Sequence, residues 1–360
     1  MRGEFLDQGG MFSYVLPEQR IPADHPLRPI RALIREVFSG LDRSFRKLYS
    51  ADGRPSIPPE QLLSALLIQA LYGIRSERQL MEQLNYNLLF RWFVGLSPDD
   101  PVWHPTSFTM NRERLQQGDV FQSFMSTLLA HPKIKPLLSD EHFSVDGTLI
   151  EAWASQKSFK PKDGSDQGDG SDFHGQRRKN DTHASTTDPD ARLYRKAAGR
   201  EAKLSYMGHA LMENRHGLAV AGEVTQANGT AERMTSERMI KSKARRDGGR
   251  ITVGEDKAYD AQDHVAALRE LNATPHVAQN ACETKTGNRR RSAIDRRTTR
   301  HAGYAKSQSR RAMIECIFGW GKLHGTMRKV KLRGLANVAS TFMLNLIAYN
   351  LVRIPKLLAA

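Results

Sequence analysis

Apolar residues in the first third of the chain recur with helical spacing. A Pro-Pro-Glu sequence at residues 58–60 is followed by a stripe of leucines. Proline suits the first turn of a helix, and such a stripe gives the helix one face to bury. A second helix is predicted to start at Ser76, and a third to cover about residues 106–129. We therefore predict a helical N-terminal domain over residues 1–135.

Short apolar runs replace the helical pattern from residue 142 onwards, and runs of this length between turn residues are typical of strands. The predicted strands cover residues 142–146, 203–213, 218–225, 251–255 and 276–279, and the predicted helices cover residues 230–246, 261–271, 309–323 and 337–351. Residues 156–190 are polar and predict a loop or disordered insert. This order suits a mixed α/β sheet flanked by helices, and it is the order expected of a ribonuclease-H-like fold. We expect this second domain over residues 136–360.

Positive charge is concentrated near the C-terminal end of the chain. The 360 residues, enough for two or three domains, include 54 Lys and Arg against 39 Asp and Glu, a net charge of +15. Residues 281–334 alone hold 15 Lys and Arg against three acids. Nucleic acid fits this charge, since each neutralised phosphate releases a counterion; a solvated basic surface is the alternative. A basic loop in this window could follow a phosphate backbone through Arg289, Arg290, Arg291, Arg296, Arg297 and Arg300.

Several classes of protein are set aside by features that the sequence lacks. The longest apolar stretches, residues 62–67 and 342–351, fall short of the ~20 residues that a bilayer span needs. No apolar signal segment is visible near the N-terminus. Cys282 and Cys316 are too few for a disulfide framework or a four-cysteine zinc site. We therefore expect a cytoplasmic, nucleoid-associated protein without a membrane partner.

Three carboxylates stand out by their positions. Asp146 and Asp256 each end a predicted strand, and Glu315 lies in a predicted helix. Side chains at strand ends meet at a sheet edge, where α/β proteins usually place their sites. Oxygen ligands suit hard ions such as Mg²⁺, and two such ions about 3.5–4 Å apart can activate an attacking oxygen and stabilise a leaving one. Glu255 adjoins Asp256, but alternation along a strand points the two side chains to opposite faces, which favours Asp256.

The predicted helix around Glu315 has a charged face and an apolar face. At about 100° per residue, Arg311 and Lys322 fall on the same side as Glu315, together with Phe318. The charged side would face an active site. A plain Arg–Glu ion pair on a solvated surface is the alternative. The opposite side, expected to pack on the fold, carries Met313, Ile317 and Trp320.

The spacing of these residues resembles a signature of bacterial insertion-sequence transposases of the DDE type, Y-x2-R-x3-E-x6-K. Arg311, Glu315 and Lys322 match it, whereas Gln308 stands at the tyrosine position and Tyr304 lies one turn away. Over roughly residues 50–355, further segments resemble blocks of that family: HPTSFTMNRERL (104–115), FSVDGTLIEAWAS (143–155), NDTHASTTDPDARLYRK (180–196), GEDKAYD (254–260) and FGW (318–320). Three residues depart from the family pattern. Glu255 stands where we expect Ala, Ala258 where we expect Gly, and Cys316 where we expect a second acid.

The resemblance implies a ribonuclease-H-like catalytic domain, a helical N-terminal domain and dependence on Mg²⁺, with Mn²⁺ as an alternative ion. It implies cutting and joining of double-stranded DNA at the terminal inverted repeats of an insertion sequence, and we expect a homodimer on that DNA. Asp146, Asp256 and Glu315 would be the metal-binding catalytic triad. Arg311 and Lys322 would hold DNA near the scissile phosphate. An inactive DNA-binding regulator and a metal-dependent nuclease without strand transfer are the alternative interpretations.

The helices on either side of Gly73 resemble the outline of a helix-turn-helix motif. A helix in the major groove can distinguish base pairs, which phosphate contacts cannot do. The helix after Gly73 offers Arg78, Gln79 and Gln83 for base edges and Arg75 for a phosphate. A helical hairpin that merely packs on the catalytic domain or on a second subunit fits the same pattern.

Overall fold

Helices make up the N-terminal part of the molecule. The computed structural model describes residues 16–49, 56–164, 178–195, 199–243, 248–282 and 290–359. The helices of this part are α1 (Pro17–Arg20), α2 (Leu27–Leu48), α3 (Pro59–Leu71), α4 (Glu77–Tyr86), α5 (Leu88–Val94), α6 (Pro105–Gln117) and α7 (Val120–Ala130). The apolar stripes of α2 to α7 meet in one core, to which α2 and α3 contribute most of their apolar positions. The predicted helical N-terminal region is confirmed.

Two helices predicted as continuous are each interrupted at a polar residue. The helix after Ser76 ends at Asn87, because the Asn87 side chain accepts a hydrogen bond from the backbone N–H of Phe90 and starts α5. The helix predicted over residues 106–129 divides near Asp119, which has a positive φ of 50°. Asn and Asp tolerate cap and left-handed conformations better than most residues. The apolar period therefore continues across breaks that it does not reveal.

A six-stranded mixed sheet dominates the second part of the molecule. The strands are β1 (His142–Glu151), β2 (Phe159–Pro161), β3 (His183–Ser185), β4 (Arg192–Tyr194), β5 (Lys203–Glu213), β6 (Ala219–Gln226), β7 (Ile251–Glu255) and β8 (Ala273–Val277). The main sheet has the order β4-β5-β1-β7-β8 with β6 beside β5, and β2 pairs separately with β3. β1 runs antiparallel to β5 and parallel to β7, and β7 runs parallel to β8. The predicted mixed sheet is confirmed.

Helices cover both faces of this sheet: α8 (Ala231–Lys243), α9 (Gln262–Glu270), α10 (Arg296–Arg300), α11 (Ala302–Arg311), α12 (Ile314–Leu323) and α13 (Leu335–Leu358). On one face, Val145 of β1 packs in a cluster with Ile240 of α8 and Leu268 of α9. On the other face, Ile150 of β1 shares a core with Phe342 of α13. Because α13 also contacts α3 and α7, the N-terminal helices and the sheet share that core. The domain boundary near residue 135 stays a prediction.

Glycines in the sheet allow α13 to pack directly on it. A Cβ added at Gly222 of β6 would lie 2.3 Å from Leu346 Cδ1, and one at Gly208 of β5 would lie 2.6 Å from Phe342 Cε2. The helix is longer than the predicted residues 337–351. By length and composition α13 could cross a membrane, but 61% of its most apolar stretch is buried inside the fold. Packing in the core accounts for this composition.

The second part departs from the prediction in its strands and in the polar insert. β1 continues past Asp146 instead of ending there, and β8 starts at Ala273 rather than residue 276. The described part of the insert is not simply a loop, because it contains β2 and β3. In it, buried Asp188 accepts a hydrogen bond from the hydroxyl of Tyr206 on β5 over 2.6 Å. The composition of the insert indicated a loop because it is polar, but some of its polar side chains are buried and form hydrogen bonds inside the fold.

Candidate active site

Asp146 lies just beyond the point where the parallel part of the sheet separates. β1 pairs with β5 along most of its length, but it pairs with β7 only at residues 142–144. The following residues of β1 have no β7 neighbour on that edge. Oδ1 of Asp146 accepts a hydrogen bond from the N–H of Gly147 over 2.8 Å. A carboxylate is thus positioned where two neighbouring strands diverge.

Asp256 directly follows β7. Its Oδ1 accepts a hydrogen bond from the N–H of Ala258 over 2.7 Å, which starts a short 3₁₀ turn. The preceding Glu255 is fully buried, in agreement with the predicted alternation. Glu255 accepts a hydrogen bond from Ser236 on α8 over 2.5 Å and contacts Nε2 of His264 on α9 at 2.9 Å. The neighbour of Asp256 is therefore a structural group that holds the end of β7 against two helices.

Glu315 is exposed in the first turn of α12. The helix predicted over residues 309–323 is wrong in its limits, because α11 already begins at Ala302 and the chain breaks after Arg311. No glycine or proline marks this break. Phe318, predicted on the charged face, is instead buried, since this side of α12 packs against β1. Only the exposed first turn of the helix presents a carboxylate.

The charges of the other two predicted carboxylates both act on Asp146. Burial is the main reason that the pKa of Asp146 is raised to about 7, and the hydrogen bond from Gly147 opposes this rise. The negative charges of Asp256 and Glu315 raise the pKa further. Residues that are far apart in sequence, on β1, after β7 and on α12, are therefore near one another in the fold.

The chemistry of these side chains suits a divalent metal ion. All three are carboxylates, the ligands that Mg²⁺ and Mn²⁺ prefer. Within the described ranges, no group of three or more His, Cys, Asp and Glu is already arranged to hold a metal. Like charges repel until a cation lies between them, and after burial the charges of Asp256 and Glu315 add to the raised pKa of Asp146. The chemistry of the donor set therefore fits the ion.

Two cations predicted to contact DNA lie beside this group. Lys322 donates a hydrogen bond to Thr148 Oγ1 over 2.5 Å, and Thr148 lies two residues from Asp146 on the same face of β1. Arg311 is half-buried at the end of α11, and its Nε has no hydrogen-bond partner among the described residues. That part of the chain also contains no ion pair between Arg311 and Glu315. The alternative of a plain surface pair therefore has no support.

The residue at the tyrosine position of the signature ties α11 to the sheet. Gln308 Nε2 donates to the carbonyl oxygens of His276 and Glu255, at 2.5 Å and 3.4 Å. Tyr304, one turn earlier, donates its hydroxyl to the Val277 carbonyl over 3.0 Å. Both side chains are therefore held at the ends of β7 and β8. The signature as a whole stays a prediction.

A fourth acidic residue beside these carboxylates was missed from the sequence. Glu232 lies in the first turn of α8, where the helix dipole ordinarily explains an acid. A Cβ added at Gly147 would lie 2.7 Å from Glu232 Oε1, so the glutamate rests on β1 next to Asp146. Burial and the charge of Asp256 raise the pKa of Glu232, and Arg233 lowers it. The one available signal was the glycine directly after Asp146.

Tyr259 lies near the same acids. Its side chain is buried, and its hydroxyl has no hydrogen-bond partner in the part of the chain that the structure describes. The pKa of Tyr259 is raised well above its usual value, chiefly by burial. Nearby negative charges raise it further, in this order of effect: Glu232, Glu255, Asp146 and Asp256. A buried hydroxyl without a partner is costly, so a water or ligand is expected there.

The basic segment predicted as a loop is partly helical, because the Asp295 side chain accepts a hydrogen bond from the N–H of Thr298 and starts α10. The arginines predicted to follow a phosphate backbone therefore lie on and before this helix. Asp260 anchors this segment, because its carboxylate accepts hydrogen bonds from the N–H groups of Asn280 and Ala293, at 2.7 Å and 2.8 Å. The predicted arginines of the described segment are all exposed: Arg290, Arg291, Arg296, Arg297 and Arg300. Arg289 lies outside the described residues. Their contact with DNA stays a prediction.

The predicted reading helix α4 exposes most of its polar side. Arg75, Arg78 and Gln79 are exposed, whereas Gln83 is half-buried and donates a hydrogen bond to the Tyr86 hydroxyl over 2.9 Å. The apolar side of α4 is buried. The exposed side could meet DNA as predicted.

The turn before α4 packs on the end of α12. Gly73 has a φ of +61°, and an added Cβ would lie 2.7 Å from the His324 carbonyl oxygen. Glu77 of α4 forms an ion pair with buried Arg112 of α6 over 2.6 Å. These contacts suit a packed hairpin as well as a DNA-reading helix, so both interpretations stay open.

Family comparisons assign both parts of the chain. The model of the Transposase DDE domain matches residues 138–351, more than half of the chain, and that of the Transposase domain (DUF772) matches residues 16–114. The chain belongs to the DDE transposase family. It is an insertion-sequence transposase, an enzyme that cleaves and transfers DNA, and its family depends on a divalent metal ion. Among curated proteins, none matches the sequence.

Solved transposase structures are similar to this chain at a low level. A cryo-EM structure of the piggyBac transposase synaptic complex with hairpin DNA aligns over 91% of this chain and 74% of its own, with 10% identity and a TM-score of 0.40. A crystal structure of the Mos1 mariner paired end complex with Mn aligns over 95% and 88%, with 14% identity and a TM-score of 0.20. A pre-cleavage Mos1 transpososome aligns over 94% and 98%, with 12% identity and a TM-score of 0.21.

Proposed function

We propose that Asp146, Asp256 and Glu315 form the metal-binding catalytic triad of this transposase, in a catalytic part with a ribonuclease-H-like fold. The observation that carries the proposal is the position of the carboxylates: Asp146 lies where β7 separates from β1, Asp256 directly follows β7, and the charges of Asp256 and Glu315 both act on Asp146. The strand order supports the fold: β5 and β6 are antiparallel neighbours on one side of β1, and β7 and β8 are parallel neighbours on the other.

Mg²⁺ is the ion that we propose, with Mn²⁺ able to replace it, because both take carboxylate oxygens as ligands. When bound, such an ion activates an attacking oxygen and stabilises a leaving oxygen during phosphodiester cleavage and strand transfer. Asp146, Asp256 and Glu315 hold it, and each must be deprotonated to do so. Lys322 and Arg311, on the neighbouring helices, would donate to phosphate oxygens beside the ion.

The DNA substrate is proposed to be the terminal inverted repeats of the insertion sequence and its target. Exposed arginines in residues 290–300 would contact phosphates, and α4 would contact base edges. We further propose that the protein acts as a homodimer on DNA, in the cytoplasm near the nucleoid and without a membrane partner. The exposed arginines of residues 290–300 support DNA as the partner.

Cleavage of a labelled DNA end tests the triad. The substrate is a duplex carrying the inverted repeat found beside the gene, and cleavage is measured with Mg²⁺, with Mn²⁺ and with EDTA. Asp146→Asn, Asp256→Asn and Glu315→Gln should each lower the rate by more than about 100-fold while DNA binding is retained in a gel-shift assay. Glu270→Gln, at the exposed end of α9, is the matched control. Near-wild-type cleavage by any triad variant would remove that residue from the triad.

The two alternative functions predict different products. A nuclease without strand transfer would cut the repeat and never join its end to a target plasmid. An inactive regulator would bind the repeat and cut nothing. A joined product, detected by sequencing across the new junction, is therefore the outcome that the proposal requires.

A further inference from the structure

We infer that Glu232 is a fourth carboxylate of the metal site and binds the divalent ion together with Asp146 and Asp256. The inference rests on the proposed function, because it places Glu232 in the same metal centre as the triad. Three features of the fold lead to it. The first is the approach of α8 to β1; the other two are that neither the Glu232 carboxylate nor the Tyr259 hydroxyl has a partner among the described residues.

The approach of α8 to β1 depends on a glycine. Glu232 is the second residue of α8, and its carboxylate reaches the backbone of β1 at Gly147. An added Cβ there would lie 2.7 Å from Oε1 and 3.1 Å from Cγ of Glu232, so any larger residue would displace the glutamate. Gly147 directly follows Asp146. The Glu232 carboxylate therefore lies over the residue next to Asp146, on a segment of β1 from which β7 has already separated.

The Glu232 carboxylate is half-buried without a protein partner. Across the described ranges, no hydrogen bond or ion pair reaches its oxygens. By contrast, Glu237 on the same helix and Glu255 on β7 both contact the ring of His264, at 2.8 Å and 2.9 Å. A partly desolvated carboxylate beside other acids is unfavourable unless a cation compensates it. A divalent ion shared with Asp146 supplies that cation.

The hydroxyl of Tyr259 is an independent sign that a group belongs at this place. The residue is 1% exposed, and its hydroxyl makes no hydrogen bond within the described part of the chain. Among the charges that act on this phenol, that of Glu232 has the largest effect. Mg²⁺ keeps several of its waters when carboxylates bind it. Water held between Glu232 and Asp146 would give the buried hydroxyl a partner that the described residues do not supply.

Mn²⁺ binding to the full-length protein without DNA tests the assignment. The free ion is followed by electron paramagnetic resonance during titration of the wild type, Glu232→Gln and Glu270→Gln. We expect Glu232→Gln to weaken Mn²⁺ binding by about 10–100-fold, since one charged ligand is lost, and the exposed control to bind as the wild type does. Wild-type affinity in Glu232→Gln would overturn the assignment.

Gly147→Ala is a second variant that keeps every carboxylate. Its methyl group meets the end of a flexible side chain, so the backbone should be retained while Glu232 is displaced. We expect about tenfold weaker Mn²⁺ binding, and little further loss when Glu232→Gln is added, because both changes remove the same ligand. Unchanged binding in Gly147→Ala, or full additivity in the double variant, would contradict the inference.

Asp146→Asn separates this inference from the function on which it rests. If Asp146→Asn abolishes Mn²⁺ binding while Glu232→Gln leaves it unchanged, the triad stands and the fourth ligand is wrong. If neither change affects Mn²⁺ binding, the metal centre itself is misplaced and both proposals are wrong. Circular dichroism of each variant verifies that it is folded.

Discussion

The carboxylate site and the surface of α4 differ in how the fold holds their polar groups. Asp146 is half-buried and bonded to the backbone, and Glu255 next to the site is fixed by α8 and α9. On α4, the side chains of Arg78 and Gln79 are exposed and make no hydrogen bond or ion pair in the described part of the chain. Groups that act on a reacting bond must be positioned in advance, whereas groups that read DNA can be ordered by the DNA. The first region can be interpreted from the protein alone, and the second needs its partner.

The largest change in stability is expected at Glu255. Glu255→Ala leaves Ser236 and His264 without their buried partner, so the free energy of unfolding should fall by about 3 kcal/mol. Arg78→Ala on α4 should change it by less than about 0.5 kcal/mol. Urea denaturation at pH 7 measures both. Equal losses at the two positions would contradict the contrast between fixed and free polar groups.

Acid should destabilise the contact between α11 and the sheet. His276 Nδ1 and His142 Nε2 both contact the buried Ser307 Oγ, at 2.6 Å and 2.7 Å. Burial, followed by the charges of His142 and His301, lowers the pKa of His276 to about 4 from its ordinary value of 6.5. The unfolded chain therefore takes up the proton first. The stabilisation that comes from holding His276 neutral is complete above about pH 6.5. As the pH falls towards 4, the free energy of unfolding should drop by about 2–3 kcal/mol.

Urea denaturation between pH 7 and pH 4.5 measures this effect. His276→Asn removes the titrating ring, so it should make the unfolding free energy less dependent on pH over this range. Buried His209, whose pKa burial lowers to about 3, accounts for part of the remaining dependence. Identical pH profiles for the wild type and His276→Asn would show that the proton is taken up elsewhere.

The affinity of the carboxylate site for a metal ion should weaken in acid. The pKa of Asp146 is raised to about 7, chiefly by burial, and a bound ion must displace that proton. Mn²⁺ affinity should therefore fall by up to about tenfold per pH unit below 7. Isothermal titration at pH 7.5, 6.5 and 5.5 measures this slope, together with the protons released. A constant affinity over this range would mean that Asp146 does not bind the ion.

Removal of charge from the basic segment should weaken DNA binding without changing its sequence preference. Replacement of Arg291, Arg296 and Arg297 by Gln removes three exposed charges. The slope of log K against log [salt] should then decrease in magnitude by about 2–3 for the terminal repeat and for scrambled DNA alike. Fluorescence anisotropy at several salt concentrations provides the slope. An unchanged slope would exclude these arginines from the phosphate contacts.

The smallest effect is expected from single changes on α4. Arg78→Ala and Gln79→Ala should each lower the preference for the terminal repeat over scrambled DNA by about tenfold, because contacts to base edges are lost. Competition binding to the full-length protein measures this ratio. An unaltered ratio in both variants would favour the packed hairpin and remove α4 from sequence recognition.

The sequence predicts elements better than it predicts contacts between them. β5 and β7 lie at the predicted residues 203–213 and 251–255, because each apolar run ends at polar turn residues. The break after Arg311 could not be predicted, because helical spacing continues across it. Glu232 could not be found either, since its position depends on Gly147 in a different element. A local pattern is therefore sufficient to predict β7, which Asp256 follows. It is not sufficient to predict which side chains of other elements lie near Asp256.

The location of a bound metal ion tests the central claim most directly. Crystals of the full chain soaked in Mn²⁺ allow an anomalous difference map, which identifies the ion independently of the protein atoms. The account predicts a peak within about 2.0–2.3 Å of carboxylate oxygens of Asp146 and Asp256, with Glu315 on the same centre. A Mn²⁺ peak away from these residues, or none at concentrations that support DNA cleavage, would contradict it.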